Sequence, residues 1–280
     1  MLELEQWKRS FRLDVGSIRV ESTSGALALR VAFSVDRDKT ATPNNAEVAI
    51  WNLNPDHRAE LEQAKNVTVR VEAGYQDQIS QIFFGALRKA ETIVEGPDYI
   101  TRVSGGDGED KLKFATISKT FAKGTSVRDV LFTLIDRLTI GRGNADRLAL
   151  LSFENFGTKL EKPLTVAGPV VEELARFARS LGLEWSIQDG TFQIVKIGEP
   201  SNIGQGPKIS PATGLIGSPR IDSEGKVQGR ALILPDLLPG TRFRLESQAT
   251  TGNFVCEKTR HFGDSRATEW YVDFLGKPHA

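Results

Sequence analysis

The sequence predicts a β-dominated α+β protein in which two antiparallel β-domains flank a small α+β domain. Three observations lead to this prediction. Apolar and polar residues alternate, as in half-buried strands, in both terminal segments of the chain. In the middle segment, apolar residues recur at helical spacing. Finally, one spacing of strands occurs twice, first at residues 69–72, 82–84 and 98–103 and again at residues 243–246, 253–255 and 269–274.

This repeat lies in spacing and alternation rather than in sequence identity. Phe83 and Tyr99 are 16 residues apart, and Phe254 and Tyr271 are 17 residues apart. Duplication of a β-unit would explain the pattern, but any two antiparallel meanders share a similar pattern, so both interpretations stay open. A duplicated unit would let a small ring of subunits imitate a larger ring.

Length and charge narrow the class of protein. A chain of 280 residues is long enough for about two domains. Lys and Arg together number 36, as do Asp and Glu, and the two signs are interspersed along the chain. This balance argues against a nucleic-acid-binding protein, because such proteins carry a basic excess on one face.

Cysteine usage and hydropathy indicate where the chain is made. Cys256 is the single cysteine, so no intrachain disulfide supports the fold, which fits assembly in a reducing cytoplasm. Neither a signal peptide nor a run of 18 apolar residues is apparent, so we expect no stable membrane insertion.

Residues 1–110 predict the first β-domain. Alternating apolar residues indicate strands around residues 27–35, 48–53 and 67–71. Between them, Asn54 and Pro55 have the residue types of an N-cap and a first helical position, which predicts a short helix as far as about Ala64. Further along, a turn at residues 95–98 joins two more strands, and a glycine-rich turn at residues 105–108 closes the domain.

Residues 111–198 predict the small α+β domain. Residues 126–129 form a variant of the capping box and are followed by an amphipathic helix. A second helix is predicted from Pro169 to Gly182. Beyond it, Asp189-Gly190 between two alternating runs predicts a hairpin, with Trp185 in the domain core.

Residues 199–280 predict a linker and the second β-domain. Pro and Gly are frequent and periodicity is weak over residues 199–219, which indicates a linker or a long crossing segment. Strands are expected from Lys226 onward. Leu238-Pro239-Gly240 has the residue order of a type II turn, and a final strand is predicted over residues 270–275.

The sequence offers little for catalysis. His57, His261 and His279 are far apart and lack ligand partners at metal-binding spacing, and Cys256 lies in an apolar strand. We therefore expect no catalytic residue, metal site or cofactor. One alternative stays open at residues 107–110, where the carboxylates of Asp107, Glu109 and Asp110 on a glycine turn could hold a cation or simply form a turn at the end of the sheet.

Several short motifs resemble the central baseplate hub family of tailed phages, which is related to the late control protein D group. The motifs occur in all three segments of the chain. They are AEVAIWNLNP at 46–55, VRVEAGY at 69–75, IFFG at 82–85, TSVRDVL at 125–131, GLIGSP at 214–219, HFGD at 261–264 and EWY at 269–271.

The resemblance implies a structural function without enzymatic activity. Hubs of this family are homotrimers in which each subunit contributes two tube-type β-barrel domains, so that three subunits present a pseudo-six-fold ring. The implied partners are the hexameric tail tube protein, the trimeric central spike protein and other baseplate proteins, with DNA as passing cargo. The implied location is the tail baseplate of the virion, assembled in the host cytoplasm. Tyr99, Trp270 and Tyr271 are our candidates for interface residues.

Two other functions compete with this one. A glycosidase-like tail enzyme that cleaves the cell wall would need two carboxylates converging in a cleft. An adhesin that binds the host surface would more often carry C-terminal repeats and aromatic-rich loops, whereas the aromatic residues here lie within predicted strands.

Overall fold

The structure is a computed structural model that describes residues 8–23, 28–39, 44–76, 78–107, 114–145, 158–201 and 206–279. These residues form seventeen strands, three α-helices and one short 3-10 helix. The strands are β1 Arg9–Val15, β2 Ile18–Thr23, β3 Val31–Asp38, β4 Asn45–Trp51, β5 Thr68–Tyr75, β6 Gln78–Glu95, β7 Asp98–Gly106, β8 Thr116–Phe121, β9 Leu164–Pro169, β10 Leu183–Gln188, β11 Thr191–Lys196, β12 Lys208–Ile209, β13 Leu215–Ile221, β14 Val227–Leu232, β15 Arg242–Glu246, β16 Thr251–Asp264 and β17 Trp270–Pro278. The helices are α1 Pro55–Gln63, α2 Val127–Arg137, α3 Val170–Ser180 and the 3-10 helix Pro211–Thr213.

The chain divides into two compact units. The first contains residues 1–39, 44–107 and 202–280, and the second contains residues 40–43 and 108–201. The prediction of a β-dominated α+β fold is confirmed. In the first unit, the described strands of both terminal segments belong to a single sheet of 13 strands, and they do not close it into a barrel.

The sheet of the first unit contains the same five-strand arrangement twice. Its strand order is β13-β14-β17-β16-β3-β4-β7-β6-β5-β1-β2, with β15 and β12 following from β16. We call β3-β4-β7-β6-β5 the N-terminal repeat and β13-β14-β17-β16-β15 the C-terminal repeat. Neighbouring strands are antiparallel throughout both repeats. The strand spacing that occurs twice in the sequence therefore corresponds to two antiparallel meanders, β5-β6-β7 and β15-β16-β17.

A β-bulge lies at the same place in each meander. The long middle strand pairs first with one neighbour and then with the other, and the bulge follows this change of partner. In β6 the bulge falls between Leu87 and Lys89, and in β16 it falls between Cys256 and Lys258. Because bulges are specific local features rather than defaults of sheet geometry, their shared position supports the equivalence of the repeats.

A glycine on the closing strand stands opposite each bulge. Gly105 pairs with the residue just before the first bulge, and Gly276 does so at the second. A Cβ atom on Gly105 would lie 2.9 Å from the Phe83 ring, and one on Gly276 would lie 2.6 Å from the Phe243 ring. Each glycine therefore leaves room for a buried phenylalanine that crosses over the backbone.

Each repeat has its own hydrophobic cluster. The cluster of the N-terminal repeat includes the buried side chains of Phe11, Phe33 and Phe83, and the cluster of the C-terminal repeat includes those of Phe243 and Phe274. The repeats are joined where β3 pairs with β16, from Ala32 opposite Asp264 to Asp38 opposite Lys258.

Three local predictions in the first unit are confirmed. Helix α1 begins after Asn54, whose side chain accepts a hydrogen bond from the Asp56 N–H at 2.8 Å. A tight turn with Gly96 at a φ of 60° joins β6 to β7. At residues 238–241 Gly240 has a φ of 85°, and the Thr241 N–H donates to the Leu238 carbonyl at 3.0 Å, as in a type II turn.

The linker prediction for residues 199–219 is wrong in its second half. This stretch contains β12, the 3-10 helix and most of β13. Strand β13 lies at the end of the sheet and pairs with β14 alone among the described strands. An edge strand tolerates Gly217 and the missing N–H of Pro219, which is why its composition resembles that of a linker.

The second unit packs α2 and α3 with two antiparallel strand pairs, β8–β9 and the hairpin β10–β11. Ser126 caps α2 by accepting the Asp129 N–H at 3.1 Å, as predicted. Pro169 is the N-cap of α3, and the helix itself begins one residue later than predicted. Asp189 and Gly190 both have positive φ, the geometry of a type I′ hairpin turn. The β8–β9 pair was not predicted.

Candidate functional site

One face of the sheet in the first unit is turned away from both hydrophobic clusters, and we call it the outer face. It arises from strand alternation: in β3, buried Val31, Phe33 and Val35 alternate with the less buried Ala32 and Ser34. The outer face runs across the β3–β16 junction and thus spans both repeats. Its polar members are Ser34, Asp36, Glu47, Lys89, Glu91, Arg102, Ser104, Gln228, Arg230, Lys258, Arg260 and Asp273.

Charges of both signs are paired on the outer face. The guanidinium group of Arg230 donates two hydrogen bonds to Asp273, at 2.6 and 2.9 Å, and this pairing raises the pKa of Arg230 above its ordinary value. At the junction, Arg260 donates to the Ser34 hydroxyl at 3.1 Å and lies 4.0 Å from the Asp36 carboxylate. Because the cations are largely matched by neighbouring anions, this face lacks the positive array that binds phosphates tightly.

A shallow depression of about 520 Å³ lies on the N-terminal half of the outer face. Side chains of opposite charge line it, among them Glu47, Lys89, Glu91 and Arg102. Among the described residues, no group of three or more His, Cys, Asp or Glu side chains is arranged to hold a metal ion. The depression therefore offers a mixed polar surface.

The three candidate interface residues do not come together. Tyr271 lies on the outer face, where its ring meets that of Phe262 edge-on at 5.9 Å and Arg230 lies 5.5 Å from its centroid. Trp270 points to the opposite side of the sheet and is 2% exposed in the core of the N-terminal repeat. Tyr99 is 45% exposed and lies beneath the guanidinium of Arg58 on helix α1, at 4.1 Å.

Strand alternation explains this arrangement. In β17, Val272 and Phe274 are buried with Trp270, so Tyr271 and Asp273 must face the other way. Tyr99 has the same position in β7 that Trp270 has in β17. When the two repeats are aligned by their strand pairing, Ile100 corresponds to Tyr271, so the residue before each of them also corresponds. The sequence pattern alone did not reveal which member of the Trp270–Tyr271 pair faces outward.

Several of the described strands of the sheet have an unpaired side, among them β2 and β12, and two of these edges, on β13 and β6, carry exposed apolar side chains that sequence reasoning did not locate. Among the described strands, none pairs with the outer side of β13, nor with the second side of β6 over residues 89–95. Exposed apolar side chains mark both edges. Val94 on β6 is 66% exposed, and Ile216 and Ile221 on β13 are 39% and 48% exposed. Unpaired edges of this kind are ready templates for pairing with another strand.

Helix α1 partly covers the edge of β6. The N–H group of Thr92 points away from β7 and donates to the side-chain carboxylate of Glu62 at 2.9 Å. Glu62 thus occupies the place that the carbonyl group of a neighbouring strand would take.

Two buried titratable groups, His261 and Cys256, are held in neutral forms suited to a structural role. His261 is fully buried at the β3–β16 junction, and its Nε2 atom lies 3.2 Å from the Leu234 carbonyl oxygen. Burial lowers the pKa of His261 to about 4, so the imidazole is neutral at pH 7. Burial also raises the pKa of the Cys256 thiol, which keeps it unreactive.

Asp107 is likewise engaged by its own chain. Its carboxylate is 1% exposed and accepts hydrogen bonds from the backbone and side-chain nitrogens of Asn44, each at 2.7 Å. Glu109 and Asp110, the other carboxylates of the loop that could hold a cation or form a turn, lie outside the described residues. In the part of the chain that is described, no helix has the length and apolar character required to cross a membrane.

Comparison with known proteins agrees with this geometry. Residues 17–276 match the family described as baseplate hub gp41. No curated protein matches the chain significantly by sequence.

Solved structures share the fold at low sequence identity. The 43 kDa tail protein of prophage MuSo2 from Shewanella oneidensis is similar with a TM-score of 0.65 and 8% identity, covering 96% of this chain and 97% of that protein. The tail protein from Neisseria meningitidis MC58 has a TM-score of 0.61 and 12% identity, with 97% of each chain covered. The E. coli c3393 protein, a component of the type VI secretion system with structural similarity to the T4 tail proteins gp27 and gp5, has a TM-score of 0.58 and 8% identity over 96% of this chain and 77% of that one.

Proposed function

The chain belongs to the baseplate hub gp41 family, and from this we propose that it is a trimeric adaptor that joins a hexameric tail tube to a trimeric central spike. The observation that carries the proposal is the internal repeat. Each chain holds two five-strand units in one continuous sheet. Three copies would therefore present six similar units, which is the symmetry on which a hexameric tube could begin.

The outer face supports a second part of the proposal, namely that it lines a channel for DNA. In a closed ring one face of the sheet must point toward the central channel, and we assign that place to the face turned away from the hydrophobic clusters, the outer face. The outer face is largely polar and its charges are balanced, as in the Arg230–Asp273 pair. DNA would slide past such a surface, because phosphates bind tightly where unmatched Lys and Arg side chains cluster.

We further propose that the protein acts without enzymatic turnover and works within the virion tail. Among the described residues, burial favours the neutral forms of His261 and Cys256, and neither side chain lines the depression on the outer face. Tyr99 and Tyr271 are the remaining candidates for contact with the tube, because each is the second residue of its strand and would lie at a rim of the ring rather than along the channel. The spike and other baseplate proteins are the further partners. The β-barrels expected from the sequence would be completed by assembly, when sheets of neighbouring copies meet.

The mass of the protein in solution tests the proposal. We expect multi-angle light scattering at micromolar concentration to give the mass of a trimer, with the purified protein alone or after addition of the spike protein. A chain that remains monomeric in both conditions would contradict the adaptor function. Release of sugar from purified peptidoglycan by the isolated protein would instead support a cell-wall-cleaving enzyme.

A further inference from the structure

We propose that neighbouring copies of the chain join edge to edge, with β13 of one copy pairing antiparallel with residues 89–95 of β6 of the next. The register is the one that β3 and β16 already use inside each chain. This inference rests on the proposed ring and identifies the strands that build its interface. It commits to a second copy of this chain as the occupant of the β13 edge and of the β6 edge at residues 89–95.

The internal repeat identifies which residues correspond. Thr92 is the third residue after Lys89, the first paired residue beyond the bulge in β6. His261 is the third residue after Lys258, the first paired residue beyond the bulge in β16. Thr92 therefore corresponds to His261.

The first strands of the repeats align through their partners. Val35 pairs with Ala46, which pairs in turn with Gly105 opposite the first bulge. Ile221 pairs with Val227, which pairs in turn with Gly276 opposite the second bulge. Ile221 therefore corresponds to Val35. Because Val35 pairs with His261 inside the chain, Ile221 is expected to pair with Thr92 of the neighbouring copy.

The burial of these counterparts differs in the way the proposal requires. Val35 is 0% exposed at the internal junction, whereas Ile221 is 48% exposed at the edge of the sheet. An isoleucine left in water at a core position forgoes the stabilisation that burial of its side chain would bring. Pairing with β6 of another copy would cover Ile221 as β16 covers Val35.

Backbone groups on the two edges point in the required directions. Consecutive residues of a strand direct their N–H groups to opposite sides. The Asp222 N–H donates to the Lys226 carbonyl at 3.0 Å, toward the β14 side, so the N–H of Ile221 points to the unpaired side. On β6, the N–H of Thr92 also points to the unpaired side, where it donates to Glu62. Both residues of the proposed pair thus present hydrogen-bonding groups outward.

Charge supports the same register. Arg220 corresponds to Ser34 on the outer face and is exposed at the edge. Since Ser34 pairs with Phe262, Arg220 would lie opposite Ile93 of the neighbour. The carboxylates of Glu91 and Glu95 would then lie diagonally on either side of Arg220, within reach of its long side chain.

Disulfide cross-linking tests the register. In a Cys256→Ala background, the variant carrying Thr92→Cys and Ile221→Cys places the two thiols on directly opposed residues of neighbouring copies. A hydrogen-bonded antiparallel pair has a Cα separation of about 5.5 Å, which suits a disulfide. The matched control carries Ile93→Cys with Ile221→Cys, because the side chain at position 93 faces the other side of the sheet.

We expect mild oxidation to link most of the 92/221 variant into covalent dimers and trimers on non-reducing gels, with at least a tenfold lower yield from the 93/221 control. A trimer by light scattering that forms no 92–221 link, or that links equally in the control, would overturn the strand pairing and leave the trimeric hub intact. A protein that stays monomeric by light scattering, both alone and with the spike protein added, and that forms no link in either condition would overturn the pairing and the trimer together.

Discussion

The indole ring of Trp270 packs edge-on against the ring of Phe33, with centroids 5.1 Å apart and planes at 90°. The Nε1–H group of Trp270 also donates to the carbonyl oxygen of Gly74 at 3.2 Å. Trp270 belongs to the C-terminal repeat, yet both contacts are made with the N-terminal repeat. One side chain thus ties the two repeats together through both packing and a hydrogen bond.

We expect Trp270→Ala to lower the free energy of unfolding of the first unit by about 3–5 kcal/mol, the range for a large buried aromatic residue. Urea denaturation followed by circular dichroism would measure the change. Trp51→Ala is the matched control, because Trp51 is only partly buried and its ring is covered by Arg30 at 4.2 Å. Equal losses in the two variants would contradict the special role of Trp270.

In the second unit, Trp185 is 6% exposed and stacks on Phe192 with ring centroids 5.5 Å apart. We expect Trp185→Ala to destabilise this unit locally by about 3–5 kcal/mol, since a large cavity would remain. Hydrogen exchange should show lost protection in the β10–β11 hairpin, while the first unit keeps its protection. Phe114, which is 73% exposed, supplies a control substitution to Ala with little effect. Wild-type protection in the Trp185 variant would contradict this assignment.

Stability should depend on pH through His261. Its pKa is about 4 in the folded protein and about 6.5 when unfolded, so the unfolded state gains the proton first as pH falls. The stabilisation is therefore complete above about pH 6.5 and is lost progressively toward pH 4, by roughly 3 kcal/mol in total.

Replacement by glutamine isolates this effect from the titration of carboxylates. We expect the unfolding free energy of His261→Gln, measured by urea denaturation at several pH values, to fall less steeply between pH 6.5 and 4 than that of the wild type. The exposed His57 provides the control substitution to Gln, which should retain the wild-type slope. Parallel curves for His261→Gln and the wild type would contradict a buried neutral imidazole.

Glu62 should slow association of the copies, because its carboxylate occupies the Thr92 N–H that pairing requires. We expect Glu62→Ala to increase the rate of cross-linking in the Thr92→Cys, Ile221→Cys protein several-fold. The neighbouring exposed residue Gln63 offers a control substitution to Ala on the same helix. A rate unchanged by the loss of Glu62 would show that its carboxylate does not compete with a neighbouring strand.

Contact with the tube is tested at the two accessible tyrosines. We expect Tyr99→Asp and Tyr271→Asp to reduce co-purification of the hub with the tube protein, since a carboxylate buried without a partner at an interface is costly. The Tyr→Phe substitutions serve as controls, because they keep the ring. Full co-purification of both Asp variants would argue that these positions lie outside the docking surface. Trp270 is unsuitable for this test because its substitution would affect folding.

Local features of the chain were predictable from sequence, and long-range pairings were not. Residues such as Asn54, Ser126 and Gly190 act within a few positions of themselves, so their caps and turns follow from residue type. The pairing of β3 with β16 joins residues more than two hundred positions apart and leaves no periodic signal of its own. Strand β13 was missed because Gly217 and Pro219, tolerable at an edge, are also typical of linkers.

The candidate site, like the fold, could be predicted from the sequence only in part. Alternation required that one of Trp270 and Tyr271 face outward, but the choice depends on which cluster the strand covers. The unpaired edges were beyond sequence reasoning, because a free edge is defined by which strands are absent beside it. The correspondence of Ile221 with Val35 required the complete ladders.

The continuous sheet that joins the repeats also affects how the equilibrium amount of assembled ring depends on protein concentration. Were the six units of a ring separate molecules, the equilibrium amount of ring would rise with the sixth power of their free concentration. Because β3 and β16 hold two units together in a fixed register, half of the junctions of the proposed ring would exist before any encounter, and the dependence would fall to the third power. A protein needed in only a few copies for each particle could then complete its ring at concentrations where six independent units would remain dispersed.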